Sequence, residues 1–168
     1  MYNDETLKLQ TPELLLTFDL NPYQYDQNSK ERYSLSVSLD PKINGVKDLE
    51  SIIETIDSTC QNTFKGELPT DAQFISSIKQ SKNNAFPPVL RCKMVSNNTR
   101  FKCSISENGS AIDDQISSVK NKLKKGTRVQ LVIQLNPVWN VKKKYGVSWQ
   151  VMAIDIKKPV VNFRKCVN

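Results

Sequence analysis

Between Arg128 and Ile156 the chain reads RVQLVIQLNPVWNVKKKYGVSWQVMAIDI, and the residues able to do chemistry crowd its middle. Lys142, Lys143 and Lys144 form a run of positive charge with no acid beside them in sequence. Trp139 and Tyr145 bracket that run, and Trp149 follows. Ammonium groups neutralise phosphates while flat π-faces stack on bases, so the set suits unpaired nucleotides held by backbone and base together. Trp139 comes just after Pro137 at the mouth of a polar loop, which favours stacking. Trp149 keeps the alternation of Val147 and Val151, so packing competes with base contact there. Tyr145 is open to either role.

Charge is segregated along the chain. Residues 1–88 hold 8 Lys/Arg against 13 Asp/Glu, whereas residues 89–168 hold 16 against 4. A polyanion should meet the basic half. The chain has no histidine, which removes the usual general base and most metal centres. Cys60, Cys92, Cys103 and Cys166 show no C-x-x-C spacing, so reduced thiols are expected rather than zinc. No cofactor, metal or catalysis is expected. The competing enzyme reading, a nuclease metal cluster of Asp113, Asp114 and Asp155, rests on an adjacent aspartate pair better suited to helix capping. No glycine pair forms G-x-G, which argues against a phosphate cradle. Apolar runs are short and MYNDETLKLQ lacks a signal-peptide pattern, so no membrane partner and an intracellular setting are expected.

The elements that must position these residues follow from periodicity. A strand candidate runs from Leu7 to Leu20, broken near Pro12, and Asn21–Glu31 reads as a loop. Tyr33, Leu35, Val37 and Leu39 then alternate with serines, the mark of a strand with one wet face. From Val46 to Phe64 the period turns helical, with Leu49, Ile52, Ile53, Ile56 and Cys60 as the apolar stripe and Asp48, Glu50, Glu54 and Asp57 elsewhere. A short helix is predicted around Phe74 to Ile78. Residues 89–106 read as a hairpin turning at Asn97-Asn98, with Met94 opposite Phe101 and Cys92 opposite Cys103. Lys93 then faces Lys102 and Val95 faces Arg100, with Arg91 near the end. Like charges across a ladder repel, and an anion over that face would relieve them. Arg91, Lys93, Arg100 and Lys102 are therefore candidate phosphate contacts, as is Arg128 on the outward face of the next strand. Asn108-Gly109 makes a further turn, and a helix from Asp113 to Lys125 stops at Gly126. Val129, Leu131, Ile133 and Leu135 point inward, a last strand runs from Tyr145 to Ile156, and Pro159 and a basic tail, residues 162–165, close the chain.

Strand, strand, helix, strand, strand, preceded by at least one more strand, is the order of an oligonucleotide-binding (OB) barrel. The expectation is a mainly β, α+β chain. It would be an OB-fold-like barrel with a helix between barrel strands and an extra N-terminal packing helix. Residues 1–168 would form a single nucleic-acid-binding domain, with 1–88 completing or flanking the barrel and 89–168 its basic β-rich half.

VQLVIQLNPVW, the lysine-rich loop and YGVSW before an apolar strand resemble the OB-fold single-stranded DNA-binding proteins of large DNA viruses, of the African swine fever virus type. The likeness lies in residues 127–156. It implies sequence-tolerant binding of single-stranded DNA during viral replication, repair or recombination, in the cytoplasm of an infected host cell. It maps Trp139, Lys142, Lys143, Lys144, Tyr145 and Trp149 onto the strand–loop–strand beside the DNA groove. Phage and viral members often carry an acidic C-terminal tail that recruits replication proteins. This sequence ends Arg164-Lys165-Cys166-Val167-Asn168, so such recruitment is expected to differ or to use a tail removed from it. RNA is the alternative ligand, since OB barrels serve it too. A non-catalytic protein-interaction barrel is the other alternative.

Overall fold

Alternation of large apolar and small polar residues makes each long strand two-faced, and two-faced strands must curl around whatever their apolar side buries. A computed structural model describes residues 6–23, 27 and 31–158. Thirteen strands are found among them: β1 (Lys8–Gln10), β2 (Leu14–Leu15), β3 (Asn21–Tyr23), β4 (Arg32–Ser38), β5 (Gln73–Phe74), β6 (Ile78–Lys79), β7 (Val89–Met94), β8 (Ser104–Glu107), β9 (Ser110–Ala111), β10 (Arg128–Leu135), β11 (Trp139–Val141), β12 (Lys144–Gly146) and β13 (Trp149–Lys157). Two α-helices, α1 (Val46–Phe64) and α2 (Ile116–Lys122), and a short 3-10 turn, Lys82–Asn84, complete them. Most of the expected Asn21–Glu31 loop, Pro159, the basic tail and Cys166 lie outside the described residues.

The main sheet runs β1-β10-β13-β7-β4-β3. Its inner side buries Leu35, Val37, Leu90, Cys92, Val129, Leu131, Ile133, Trp149, Ile154 and Ile156. The inward set expected of residues 129–135 is thus observed at Val129, Leu131 and Ile133, with Leu135 half-buried against the core. The sheet curls until Leu14 of β2 pairs with Val129 of β10 and, two residues on, Leu16 makes an isolated bridge to Val37 of β4. The ends meet at that bridge rather than along a continuous ladder. The architecture is α+β and OB-like, as expected.

The start of the expected 21–31 loop is strand β3, because β4 offers it a free ladder at Arg32 to Ser34, and three further local expectations fail, each for a physical reason. The hairpin over 89–106 does not form. β7 and β8 both run parallel to β13, β7 at Trp149 and Gln150, β8 at Ala153 to Ile156. They are two pieces of one strand path interrupted by the 95–103 excursion. Asn97 does make a turn, its Oδ1 accepting from the Thr99 and Arg100 amides at 3.0 and 2.7 Å. However, Ser96 bridges Phe101, and Lys93 lies opposite Ser34 and Gln150 rather than Lys102. The helix predicted at Phe74 to Ile78 is instead β5, a short link and β6, because neighbouring strands offer ladder bonds there. On α1 the buried stripe is Val46, Leu49, Ile53, Asp57 and Cys60. At 3.6 residues per turn Ile52 falls about 100° from its centre and is exposed, while Asp57 falls on it and is buried.

Cys92 and Cys103 are accordingly not cross-strand partners. Their positions along β13 differ by about three residues, or roughly 10 Å, beyond disulfide reach. Burial pushes the Cys92 thiol up to about 12 and the Cys103 thiol up to about 11. Native protein treated with iodoacetamide near pH 8 should leave both unmodified, and denaturation should expose them. Peptide mass mapping checks this, and a Cys92–Cys103 disulfide would contradict it.

Candidate nucleic-acid interface

The lysine run is a hairpin tip rather than a slack loop. β11 and β12 pair antiparallel as Trp139 with Gly146, Asn140 with Tyr145 and Val141 with Lys144. Lys142 and Lys143 are therefore the two turn residues. Lys142 takes φ +54°, a left-handed conformation that costs a non-glycine residue about 1–2 kcal/mol. The turn leaves all three lysines exposed, and the next side chain, Tyr145, buried. Tyr145 forms a small second core with Cys60 and Val147, its ring edge-on to Phe74 at 5.4 Å. Across the hairpin, Trp139 packs over Gly146. A Cβ at that position would lie 3.3 Å from the indole and 2.5 Å from the Ile75 carbonyl oxygen, so only glycine fits.

The hairpin is tied to the main sheet by residues 73–79. At one end β5 runs parallel to β12, and the Gln73 and Ile75 amides donate to the Lys143 and Tyr145 carbonyls at 2.7 and 2.9 Å. At the other end β6 pairs with β7 through Ile78–Leu90 and Lys79–Val89. Between them, the buried Asp57 of α1 accepts from Ser76 Oγ at 2.7 Å and from the Ser77 amide and hydroxyl at 3.3 Å.

This arrangement encloses a groove of about 1190 Å³. Arg32 of β4, Lys79 of β6, Arg91 and Lys93 of β7, and Lys142, Lys143 and Lys144 all line it, together with the half-buried Trp139. Asp71 is the one acid among the lining residues. It pairs with Lys143 at 2.5 Å, correcting the expectation that nothing neutralises the lysine run. Arg91 Nε donates to Ser34 Oγ at 2.9 Å.

Six of the eleven predicted site residues thus share the groove: Arg91, Lys93, Trp139, Lys142, Lys143 and Lys144. Five do not line it. Trp149 is wholly buried in the main core, and its indole N–H meets no acceptor among the described residues. With Tyr145 also buried, neither ring offers a face to a base. Arg100 pairs with Asp114 at 3.1 Å, and it and Lys102 ride on the 95–103 excursion. Arg128 stands at the end of β10 away from Leu135, about 24 Å along the strand. Arg32 and Lys79 were missed. Arg32 shares the outward parity of Ser34 and Ser36, a legible signal, whereas Lys79 opens the polar KQSKNN stretch just after the segment misread as helix.

The candidate nuclease carboxylates are engaged elsewhere. Asp113 accepts from the Gln115 amide and the Ser118 hydroxyl, both at 3.1 Å. Lys157 at 2.7 Å, the Gly109 amide and the Ser106 hydroxyl hold Asp155 well below the usual range, at about 2. No group of three Asp, Glu, Cys or His side chains that could hold a metal is found among the described residues. No described helix is long and apolar enough to cross a membrane.

No family model matches the sequence, and neither does any curated protein. Solved structures do. The single-stranded DNA-binding protein of bacteriophage Enc34, in complex with single-stranded DNA, superposes with a TM-score of 0.61 at 13% identity, over 93% of this chain and 89% of that one. Its C-terminal truncation gives 0.62 at 13%, over 93% and 88%. Bacteriophage T7 gp2.5, also a single-stranded DNA-binding protein, gives 0.61 at 11%, over 94% and 90%. The chain shares their OB-like fold.

Because Asp57 anchors the segment between hairpin and sheet, Asp57→Ala should cost about 1–3 kcal/mol of stability by orphaning Ser76 and Ser77. It should also loosen Lys79 and the lysine tip. Denaturant melts and amide hydrogen exchange on one preparation test both effects. Full stability in the variant would remove the anchor from this account.

Proposed function

We propose that the chain binds single-stranded DNA without sequence preference, as one nucleic-acid-binding domain, and performs no chemistry on it. The observation that carries this reading is the convergence of seven cations from four separate stretches of chain on one groove beside Trp139. Folding concentrates like charge only at a cost, and a polyanion lowers that cost. The shared fold of the Enc34 and T7 proteins, whose own names say that they bind single-stranded DNA, supports the same ligand. Phosphates would lie along Arg32, Lys79, Arg91, Lys93 and the lysine tip, with Trp139 the stacking ring. A role in viral replication, repair or recombination, in an infected host cell and beside replication proteins, extends the reading. The narrower African swine fever virus likeness rests on residues 127–156 alone, and the solved structures that support the ligand are phage proteins.

Titration with oligothymidine, its RNA counterpart and duplex, followed by tryptophan emission, tests the proposal. If about 4–6 phosphates are neutralised, log K should fall with log salt at a slope of about −3 to −4. Replacing Lys142, Lys143 and Lys144 together with alanine should flatten that slope and weaken binding to all sequences alike, with little change in melting temperature. A slope near zero, or a triple variant within twofold of the parent, rejects the groove.

Trp139→Ala should lose about 1–3 kcal/mol of single-strand affinity. Equal binding by parent and variant would leave the indole a mere lid on Gly146. Tighter binding of RNA than of DNA would transfer the reading to RNA.

A further inference from the structure

A second groove, of about 870 Å³, opens on the other side of Lys79 and Arg91, which line both cavities. Its floor is the serine face of β4, where Ser34, Ser36 and Ser38 leave room that larger side chains would fill. Phe18 and Phe86 line it at 64% and 74% exposure, the two most exposed large hydrophobic side chains among the described residues after which only Val141 approaches them. Rings so open to water mark a contact surface rather than a core. Both stand on fastened backbone. Ser81 Oγ donates to the Phe86 carbonyl at 2.9 Å and accepts from the Phe86 amide at 3.0 Å. Beside Phe18, the Thr17 amide donates to Ser36 O at 3.0 Å, and Asp19 accepts from the Lys125 amide at 2.8 Å.

We infer that this groove continues the single-strand path: Phe18 and Phe86 are base-stacking platforms, with Lys79, Arg91 and Lys125 meeting the intervening phosphates. The inference rests on the function proposed above. Three observations choose a nucleic acid strand as occupant. Lys79 and Arg91 border both grooves, three cations (Lys79, Arg91 and Lys125) against the one acid Asp19 in the lining complement a phosphate backbone, and rings and cations sharing one groove suit bases joined by phosphodiesters. A peptide adding as a strand finds no free ladder on the floor, since β4 already pairs with β7 along its length on one side and with β3 and Leu16 on the other.

Oligothymidines of about 5 and about 15 nucleotides, spanning the site sizes seen for OB folds, test this on the whole chain. The parent should bind the longer one much more tightly, and Phe18→Ala/Phe86→Ala should lose about tenfold or more of that gain. Both rings are exposed, so an unchanged melt would show the variant folded. In parallel, longer oligomers carrying 5-iodouracil should photocross-link to peptides containing Phe18 or Phe86. If the variant keeps the full gain and neither peptide cross-links, the second groove is not on the path, and the basic groove stands untouched. If the parent binds neither oligomer, the proposed function itself fails.

Discussion

A carboxylate buried among two hydroxyls and one amide ties this molecule's two β-structures together. Asp57 lies on the inner stripe of α1, where a charge is costly unless hydrogen bonds replace its lost water. Ser76 and Ser77 supply them, so the segment from β5 to β6 must cross the helix at that point. The same segment is laddered to the lysine hairpin at one end and to β7 at the other. Hairpin and main sheet are otherwise joined by the short links on either side of β11 and β12 and by the small core of Tyr145, Val147, Cys60 and Leu135. The satisfied carboxylate thus pins the segment that spans hairpin and sheet beside the groove.

Around that shape the molecule accepts several local penalties. Lys142 is left-handed, three lysines stand side by side, and four more cations face them with Asp71 the only acid in the lining. The offset comes from below. Tyr145, Val147 and Cys60 pack with Phe74 and Phe64, and each buried apolar side chain contributes about 1.5–3 kcal/mol. Alternation along β12 does both tasks at once: Lys144 points out to the groove while Tyr145 points into that core. An unpaired strand would relieve the repulsion without demanding any new backbone order, which is the economy expected of a preformed electrostatic groove.

Wherever the deciding interaction was local, the sequence carried it. The lysine run with its neighbouring tryptophan, the serine alternation of β4, the span of α1 and the Asn108-Gly109 turn all depend on residues a few positions apart. Asn97 likewise made its turn. What that turn joined was decided by distant strands, β4 and β13 flanking β7 so that 101–106 does not pair with it. Tyr145 and Trp149 illustrate the same limit, since an aromatic beside a charge run reads alike whether its ring faces solvent or core. Counting charge by sequence position hid Arg32 and Lys79, two cations from the acidic half that folding brings to the basic groove.

The register of β4 against β7 unites core and surface most tightly. Leu35 lies opposite Cys92 and Val37 opposite Leu90 on the inside, while Ser34 lies opposite Lys93 and Ser36 opposite Arg91 on the outside. Each long cation thus faces a short hydroxyl, which leaves it room to lie over the sheet, and Arg91 uses that room to reach Ser34. A slip of one residue would turn Leu90 and Cys92 to water and drive Arg91 and Lys93 into the core. The apolar burial that fixes this ladder therefore also fixes where the cations stand. The ladder thus constrains the inward residues of these two strands closely and leaves the outward ones free to carry charge.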